Sequence, residues 1–158
     1  MRRQYLFYRY DSIVKRLFDL NPLLNLGTDI LVGFPEEDST AFQETYRYMQ
    51  DAPFAYCHVF PFSPRPDTPA ASYDVAAQHS EITDRAAKLR DVARQKNLVY
   101  RKQFAGQKLP ALLLKGTDEA LTGNYIRVQV DNPQERSGFA KIRIHSVEDD
   151  CTRGSIVH

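Results

Sequence analysis

The sequence is poor in the features that mark secreted, membrane and strongly charged proteins. Its 158 residues include only two cysteines, Cys57 and Cys151, and neither lies at metal-ligand spacing from a second ligand. This usage predicts a reduced, cytoplasmic protein and provides no zinc or iron–sulfur motif. No apolar run approaches the roughly 20 residues that a membrane span needs, and the N-terminus MRRQYLFYRY lacks the apolar core of a signal peptide. A net charge of +1 gives no bulk attraction to nucleic acid, so any such binding must come from a local patch.

The composition that remains is that of a folded protein. Hydrophobic residues make up 42% of the chain, which favours a globular protein over disorder. The length suffices for one ordinary domain or two small ones.

Two apolar runs, each ending in a Gly- or Pro-rich turn, organise the first half of the chain. Ile30–Val32 leads into GFP, and Tyr56–Phe60 leads into PFSPRP; runs bounded in this way predict buried strands. Residues 38 to 50 between them have helical spacing at Phe42, Tyr46 and Met49. A strand–helix–strand unit with short connections predicts parallel strands. Both turns then lie at the carboxyl-terminal edge of the sheet, where α/β proteins bind their ligands.

Two further helices are predicted on either side of this unit. Asp11 is expected to cap the first, with Ile13, Leu17 and Leu20 as its apolar stripe. The aromatic and basic segment before it either contacts nucleic acid or packs against an upstream segment. The second helix is predicted from residue 75 to 104, with Gly106 ending it. Its apolar face consists of Ile82, Ala86, Leu89, Ala93, Tyr100 and Phe104. Its charged face is expected to be solvated and consists of Arg85, Lys88, Arg90, Arg94, Lys96, Arg101 and Lys102.

Beyond Gly106 the pattern changes to short strands separated by turns. Runs at residues 109–115, 125–130, 139–147 and 154–157 predict a small antiparallel β-barrel, with a domain boundary near residue 106. Period-2 alternation points five side chains inward: Ile126, Val128, Val130, Ile142 and Ile144. It points six others outward: Tyr125, Arg127, Gln129, Lys141, Arg143 and His145. Small barrels often bind RNA through such a face; because the segment also carries many acidic residues, an ordinary solvated surface is the alternative.

The motifs together resemble those of the radical-SAM methylthiotransferases. TDILVGFP with Glu37, followed by HVFPFSPRPDTPAA, carries the resemblance, and MRRQY is similar to the segment before a late barrel helix of that family. TGNYIRV in the last third is similar to the family's RNA-binding TRAM domain. The resemblance implies an α/β fold: residues 1–106 as the C-terminal part of a partial (β/α) radical-SAM barrel, and residues 107–158 as a TRAM-like, OB-like barrel.

The resemblance also implies what the full-length protein does. Such enzymes add a methylthio group to tRNA, or to a ribosomal protein, with S-adenosylmethionine and 4Fe-4S clusters as cofactors. HVFP and NYIRV favour the branch that acts on threonylcarbamoyladenosine beside the anticodon, with the isopentenyladenosine branch as the alternative; PRP at 64–66 disfavours the ribosomal-protein branch. The CxxxCxxC motif of the family is absent, so this chain is expected to provide no metal ligand and no catalytic residue and to be inactive alone. A stand-alone RNA-binding module is the rival hypothesis.

The site residues follow from the same resemblance. Four are expected to bind the cofactor: Leu31, Gly33, Phe34 and Phe60. Six are expected to contact the substrate or RNA: Ser63, Arg65, Tyr125, Arg127, Lys141 and Arg143. Plain core packing is the alternative for Leu31 and Phe60, a loop salt bridge for Arg65, and a core histidine is expected at His58. The expected partners are tRNA and the N-terminal half of the enzyme, with self-association through an exposed barrel edge and no membrane contact.

One position departs from the family sequence. Glu36 stands where the family has glycine. Since glycine at such a site often serves a positive φ, Glu36 is expected to be tolerated only if the loop does not require one.

Overall fold

The computed structural model describes residues 6–73, 78–131 and 138–157, and it divides the chain into two compact units, Met1–Arg94 and Gln95–His158. The first unit contains α1 (Phe7–Leu20), β1 (Gly27–Val32), α2 (Ser39–Asp51), β2 (Tyr56–Pro61), a short 3₁₀ helix (Pro69–Ser72) and most of α3 (His79–Lys102). The second contains the end of α3 and five strands: β3 (Lys108–Leu113), β4 (Glu119–Thr122), β5 (Arg127–Asp131), β6 (Gly138–Val147) and β7 (Thr152–Val157). The described residues contain no helix that is both long and apolar enough to cross a bilayer.

The strand–helix–strand unit forms as the sequence predicts. β1 and β2 pair in parallel, from Gly27 opposite Tyr56 to Val32 opposite Pro61. Asp38 caps α2 by accepting a hydrogen bond of 2.8 Å from the amide of Ala41. The apolar positions Phe42 and Met49 of α2 are buried, and Tyr46 packs against them.

The three helices and one face of the β1–β2 sheet build the core of the first unit. Its buried cluster consists of Val14, Val32, Phe42, Met49, Ala52, Phe54, Leu89 and Val92. Ile30, Cys57 and Val59 pack against it from the sheet, so this face consists of alternate strand residues. The opposite face, which we call the exposed sheet face, consists of Gly27, Asp29, Leu31, Tyr56, His58 and Phe60. The expectation of fully buried strands is therefore wrong for β2, since only one of its two faces packs on the core.

The predicted start and stripe of α1 are both wrong. The helix begins at Phe7, and Asp11 lies within it, paired with Lys15 at 2.7 Å. Val14 faces the core, together with Tyr10. Ile13, Leu17 and Leu20, the predicted stripe, are 58%, 38% and 74% exposed. The helix has two apolar faces. The predicted one, with Ile13, Leu17 and Leu20, is exposed, and the one with Tyr10 and Val14 packs on the core.

The second unit is a closed barrel with the strand order β3-β4-β5-β7-β6. Every neighbouring pair is antiparallel except β5 and β7, which are parallel. All five side chains predicted to point inward, at 126, 128, 130, 142 and 144, are buried. The sequence pattern missed β4, a four-residue strand between two turns.

α3 buries its predicted apolar face, but two of its arginines are buried as well. The predicted face is buried at Ile82, Ala86, Leu89, Tyr100 and Phe104 and half-buried at Ala93. Val75 lies outside the described residues; the helix is described from His79, and Gly106 follows its last turn with φ +81°. The prediction of a solvated face fails at Arg85 and Arg101, which are 5% and 8% exposed because each binds groups from another segment of its own unit.

Candidate functional sites

The two Gly- and Pro-rich loops meet at one end of the β1–β2 sheet. The strands are parallel, so Gly33 and Phe62 follow directly after paired ends. The amide of Phe62 donates a hydrogen bond of 2.7 Å to the carbonyl of Val32. The rings of Phe34 and Phe62 lie 5.3 Å apart in an edge-to-face arrangement. The expected single rim at the carboxyl end of both strands is thus present.

The structure separates the four expected cofactor residues into two pairs. Leu31 and Phe60 are register partners on the exposed sheet face, and Phe60 is 51% exposed. Gly33 is buried and Phe34 half-buried in the loop beyond β1. Core packing is the alternative interpretation for Leu31 and Phe60. The exposure of Phe60 excludes it for that residue.

The exposed sheet face carries two polar residues that the sequence pattern did not place there. Asp29 and His58 are register partners and both are exposed, so the expectation of a core histidine is wrong. His58 lies between the rings of Tyr56, at 5.5 Å, and Phe60, at 6.3 Å. The alternate positions 56, 58 and 60 indicate in the sequence that these three side chains share one face of β2. The apolar residues between them made the whole run look like a buried strand.

A buried ion pair fixes the loop after β1. The carboxylate of Glu37 accepts a hydrogen bond from the amide of Gly33. Its Oε2 lies 3.6 Å from Nη1 of Arg85, which also donates a hydrogen bond of 2.9 Å to the carbonyl of Glu37. Nη2 of Arg85 binds Glu81 at 2.6 Å, and the guanidinium lies over the ring of Phe42 at 5.2 Å. Glu37 therefore connects the end of β1 to α3.

Glu36 occupies the left-handed region, with φ +74°. The loop therefore keeps the positive φ that glycine often serves, and Glu36 adopts it. For a residue with a Cβ this conformation costs about 1–2 kcal/mol.

Replacing Glu36 with glycine is expected to stabilise the first unit by about 1 kcal/mol, because the left-handed strain disappears while glycine adds some unfolded-state entropy. Denaturant unfolding, followed by hydrogen exchange in β1 and β2, measures the change. Glu36→Ala is the matched control, since it removes the carboxylate but keeps the Cβ. Equal stability gains for both variants would mean that charge, and not backbone strain, is responsible.

Ser63 and Arg65 lie exposed in the loop after β2. The carbonyl of Arg65 accepts a hydrogen bond of 2.8 Å from the hydroxyl of Thr68, which fixes the backbone of the turn. The guanidinium forms no ion pair with any residue in the described ranges, so the salt-bridge alternative lacks a partner there.

A basic and apolar surface lies on the outside of β3 and β6. Antiparallel register places Lys108 beside Arg143, Pro110 beside Lys141, and Leu112 beside Phe139. We call these six residues the β3–β6 face. Within the described part of the chain none of its three cations forms an ion pair, and all three are exposed. The structure thus brings Lys141 and Arg143 together as expected and adds Lys108, which the sequence analysis missed.

Arg127 lies apart from the other two basic residues named with it. β5 and β6 are separated by β7 on one side and by β4 and β3 on the other. Nη1 of Arg127 binds Oε2 of Glu119 at 2.9 Å, so its charge is partly compensated. Arg127 therefore does not lie in one cluster with Lys141 and Arg143, as the sequence analysis had grouped them.

Tyr125 is held in an unusual conformation in the turn between β4 and β5. It has φ +62° and is 75% exposed; a bulky residue with positive φ is an outlier of the kind that clusters at functional sites. Thr122 donates a hydrogen bond of 2.7 Å to Oδ1 of Asn124, whose Nδ2 donates one of 3.1 Å to the hydroxyl of Tyr100. This network fixes the turn, and the amide of Gly123 donates a hydrogen bond of 3.2 Å to the carbonyl of Pro110, a residue of the β3–β6 face.

The two cysteines lie in different units and pack as ordinary side chains. Cys57 is half-buried against the core of the first unit, and Sγ of Cys151 donates to Oε1 of Gln129 at 3.4 Å. The described residues contain no group of three or more His, Cys, Asp or Glu that could hold a metal ion.

A parallel βαβ unit with an exposed sheet face, followed by a closed five-stranded β-barrel with a basic outer face, defines an α/β chain with a small OB-like barrel. The chain is 30% identical over 144 residues to the threonylcarbamoyladenosine tRNA methylthiotransferase MtaB of Aquifex aeolicus, covering 91% of this chain and 35% of the relative. It is 30% identical over 156 residues to the enzyme of the same name from Thermotoga maritima, covering 95% and 35%. It is 28% identical over 152 residues to the tRNA-2-methylthio-N(6)-dimethylallyladenosine synthase of Neorickettsia sennetsu, covering 96% and 32%.

The chain therefore belongs to the tRNA methylthiotransferase family and corresponds to a C-terminal part of its members, as the motifs predicted. It spans about a third of the length of these curated relatives. No protein-family model matches the chain.

Proposed function

We propose that this chain is the part of a tRNA methylthiotransferase that docks the tRNA and completes the cofactor pocket. The modified nucleoside in this proposal is threonylcarbamoyladenosine next to the anticodon. The names of the Aquifex and Thermotoga relatives support this branch. The dimethylallyladenosine branch, named in the Neorickettsia relative, is the runner-up. The compartment we propose is the cytoplasm, where tRNA and reduced cysteines coexist.

The exposed sheet face is the proposed cofactor side of the chain. S-adenosylmethionine and 4Fe-4S clusters supply the radical and methyl chemistry in the full-length family. Leu31 and Phe60, side by side at the carboxyl end of the strands, fit the packing of a planar base. The amide of Gly33 is already bound to Glu37, and Phe34 packs on Phe62, so these two shape the loop behind that surface. The CxxxCxxC motif of the family is absent from the sequence, and we propose that the chain alone is inactive.

The single observation that carries tRNA docking is the set of three cations on the β3–β6 face without ion-pair partners among the described residues. Lys108, Lys141 and Arg143 follow one another along two neighbouring strands. In a chain of net charge +1, such a local concentration is what a phosphate backbone requires. Ser63 and Arg65 at the rim and Tyr125 beside the face are proposed as additional contacts.

Binding of this chain to an unmodified tRNA is expected to weaken with salt, and Lys141→Gln is expected to reduce the slope of log K against log salt by about 1. Titration by fluorescence anisotropy at several salt concentrations measures both. Lys88→Gln is the matched control, since Lys88 is an exposed lysine of α3 in the other unit. Equal slope changes for the two variants would contradict docking through the barrel.

Binding of anticodon stem-loops that carry either threonylcarbamoyladenosine or dimethylallyladenosine distinguishes the proposed branch from the runner-up. Tighter binding of the first supports the proposed branch, and tighter binding of the second supports the runner-up.

A further inference from the structure

We propose that Phe139 is a base-stacking residue that binds an unpaired nucleotide on the β3–β6 face. This inference rests on the proposed tRNA docking and deepens it by naming an aromatic contact that the sequence motifs did not indicate. The ligand class is single-stranded RNA, such as the loop of a stem-loop, since only unpaired bases expose a face for stacking.

The first observation is the exposure of the Phe139 ring. It is 91% exposed, although it lies in β6, a strand of the closed barrel. It is also the start of an apolar row. Register places Phe139 beside Leu112, which is 40% exposed, and Leu112 beside Leu121. The row crosses β6, β3 and β4 on the outer side of the barrel, where it makes no contribution to the core.

The second observation is the charge that adjoins this row. Lys141 is two residues from Phe139 on the same strand and on the same side, and Arg143 is two residues further. Lys108 lies beside Arg143. An aromatic ring next to a line of unpaired cations is the combination that binds single-stranded nucleic acid, because the cations hold the backbone while the ring stacks on a base.

The opposite end of the row has different electrostatics. Leu121 is beside Arg127, whose charge is paired with Glu119. A strand of RNA that follows unpaired positive charge would therefore run along β6 and β3, over Phe139, and not toward β5. A protein partner fits this face less well, because lysine is depleted at the centres of protein interfaces.

The test uses the whole chain and an unmodified anticodon stem-loop as the probe, with an RNA duplex of equal charge for comparison. Phe139→Ala is expected to weaken binding to the stem-loop about tenfold at fixed salt and to leave the salt slope unchanged. Lys141→Gln is expected to reduce the slope instead. Leu20→Ala, a change at an exposed apolar residue of α1, is the control for unspecific loss of hydrophobic surface.

Phe139→Trp provides a direct signal, because the chain contains no tryptophan. We expect this variant to keep its affinity and its indole fluorescence to be quenched by the stem-loop and not by the duplex. Unchanged affinity of Phe139→Ala, together with a reduced slope for Lys141→Gln, would overturn stacking by Phe139 and leave tRNA docking intact. Absence of salt-dependent binding by the unaltered chain would overturn the proposed docking, and the stacking role with it.

Discussion

Replacing Arg101 with lysine is expected to lower the free energy of unfolding of the Gln95–His158 unit by about 3 kcal/mol. The guanidinium of Arg101 is buried and uses all three of its nitrogens. Nε binds Asn97 at 2.7 Å, Nη1 binds the carbonyl of Glu148 at 3.0 Å, and Nη2 binds that of Asp149 at 2.6 Å. Nη1 also binds the hydroxyl of Thr152 at 2.9 Å. Arg101 therefore joins the end of α3 to the turn between β6 and β7.

Lysine cannot replace this fork, because one ammonium group has three donors at a single point. Some of these hydrogen bonds, which are part-buried, would then be lost, and a carbonyl left unsatisfied on burial costs about 1–3 kcal/mol. Burial lowers the pKa of Arg101 from its ordinary value, while Cys151, Asp149 and Asp150 oppose that shift. The guanidinium still stays charged, since arginine pKa values lie far above neutrality.

Hydrogen exchange of the β6 and β7 amides during urea titration measures the loss of stability within this unit. A local measurement is needed because a chain with two compact units need not unfold in one step. Arg153→Lys is the matched control, since Arg153 is exposed on β7 of the same unit. A loss for Arg101→Lys that does not exceed the loss for Arg153→Lys would show that the turn holds without the fork.

Gly33→Ala is expected to destabilise the first unit by about 3 kcal/mol, from two additive causes. Gly33 has φ +76°, which strains any residue with a Cβ. In addition, a Cβ at this position would lie 2.6 Å from Cγ1 and 2.7 Å from Cδ1 of Ile82, which is buried. The loop between β1 and α2 would have to move, and with it the amide that Glu37 binds.

Gly116 provides the control for the backbone contribution. It has the same φ of +76°, but a Cβ there would meet open space. Gly116→Ala is therefore expected to cost only the conformational strain, about 1 kcal/mol. Denaturant unfolding with hydrogen exchange in each unit measures both changes. Ile82→Ala removes the atoms with which the Cβ of Ala at position 33 would clash. The double variant should therefore lose less stability than the sum of the losses of the two single variants. Simple additivity would contradict a direct contact between positions 33 and 82.

Short-range patterns predicted most of the fold. The helical spacing of Phe42 and Met49 and the alternation around Ile126 and Ile142 are local properties of the chain, and the structure confirms both. The missed strand β4 has only four residues, too few for its alternation to stand out from the turns beside it.

The errors of prediction concern which face of an element is covered. α1 carries apolar residues on two faces, and both alternating sets of side chains on β2 include apolar residues, so the sequence could not tell which face packs on the core. Likewise, nothing near Arg85 or Arg101 in the chain distinguishes them from their solvated neighbours on α3. Their partners Glu37 and Glu148 lie 48 and 47 residues away, and only folding brings them together.

By itself, the sequence determined the family, the parallel βαβ unit, the small barrel and the rim where two loops meet, because motifs, turns and periodicities act over a few residues. Only the tertiary structure decided which basic residues form one surface. Lys141 and Arg143 join Lys108 on neighbouring strands, while Arg127, named with them from its alternation, pairs with Glu119 elsewhere on the barrel. Alternation fixes the side of a strand on which a residue lies, but strand order fixes its neighbours, and strand order is set by contacts between distant segments.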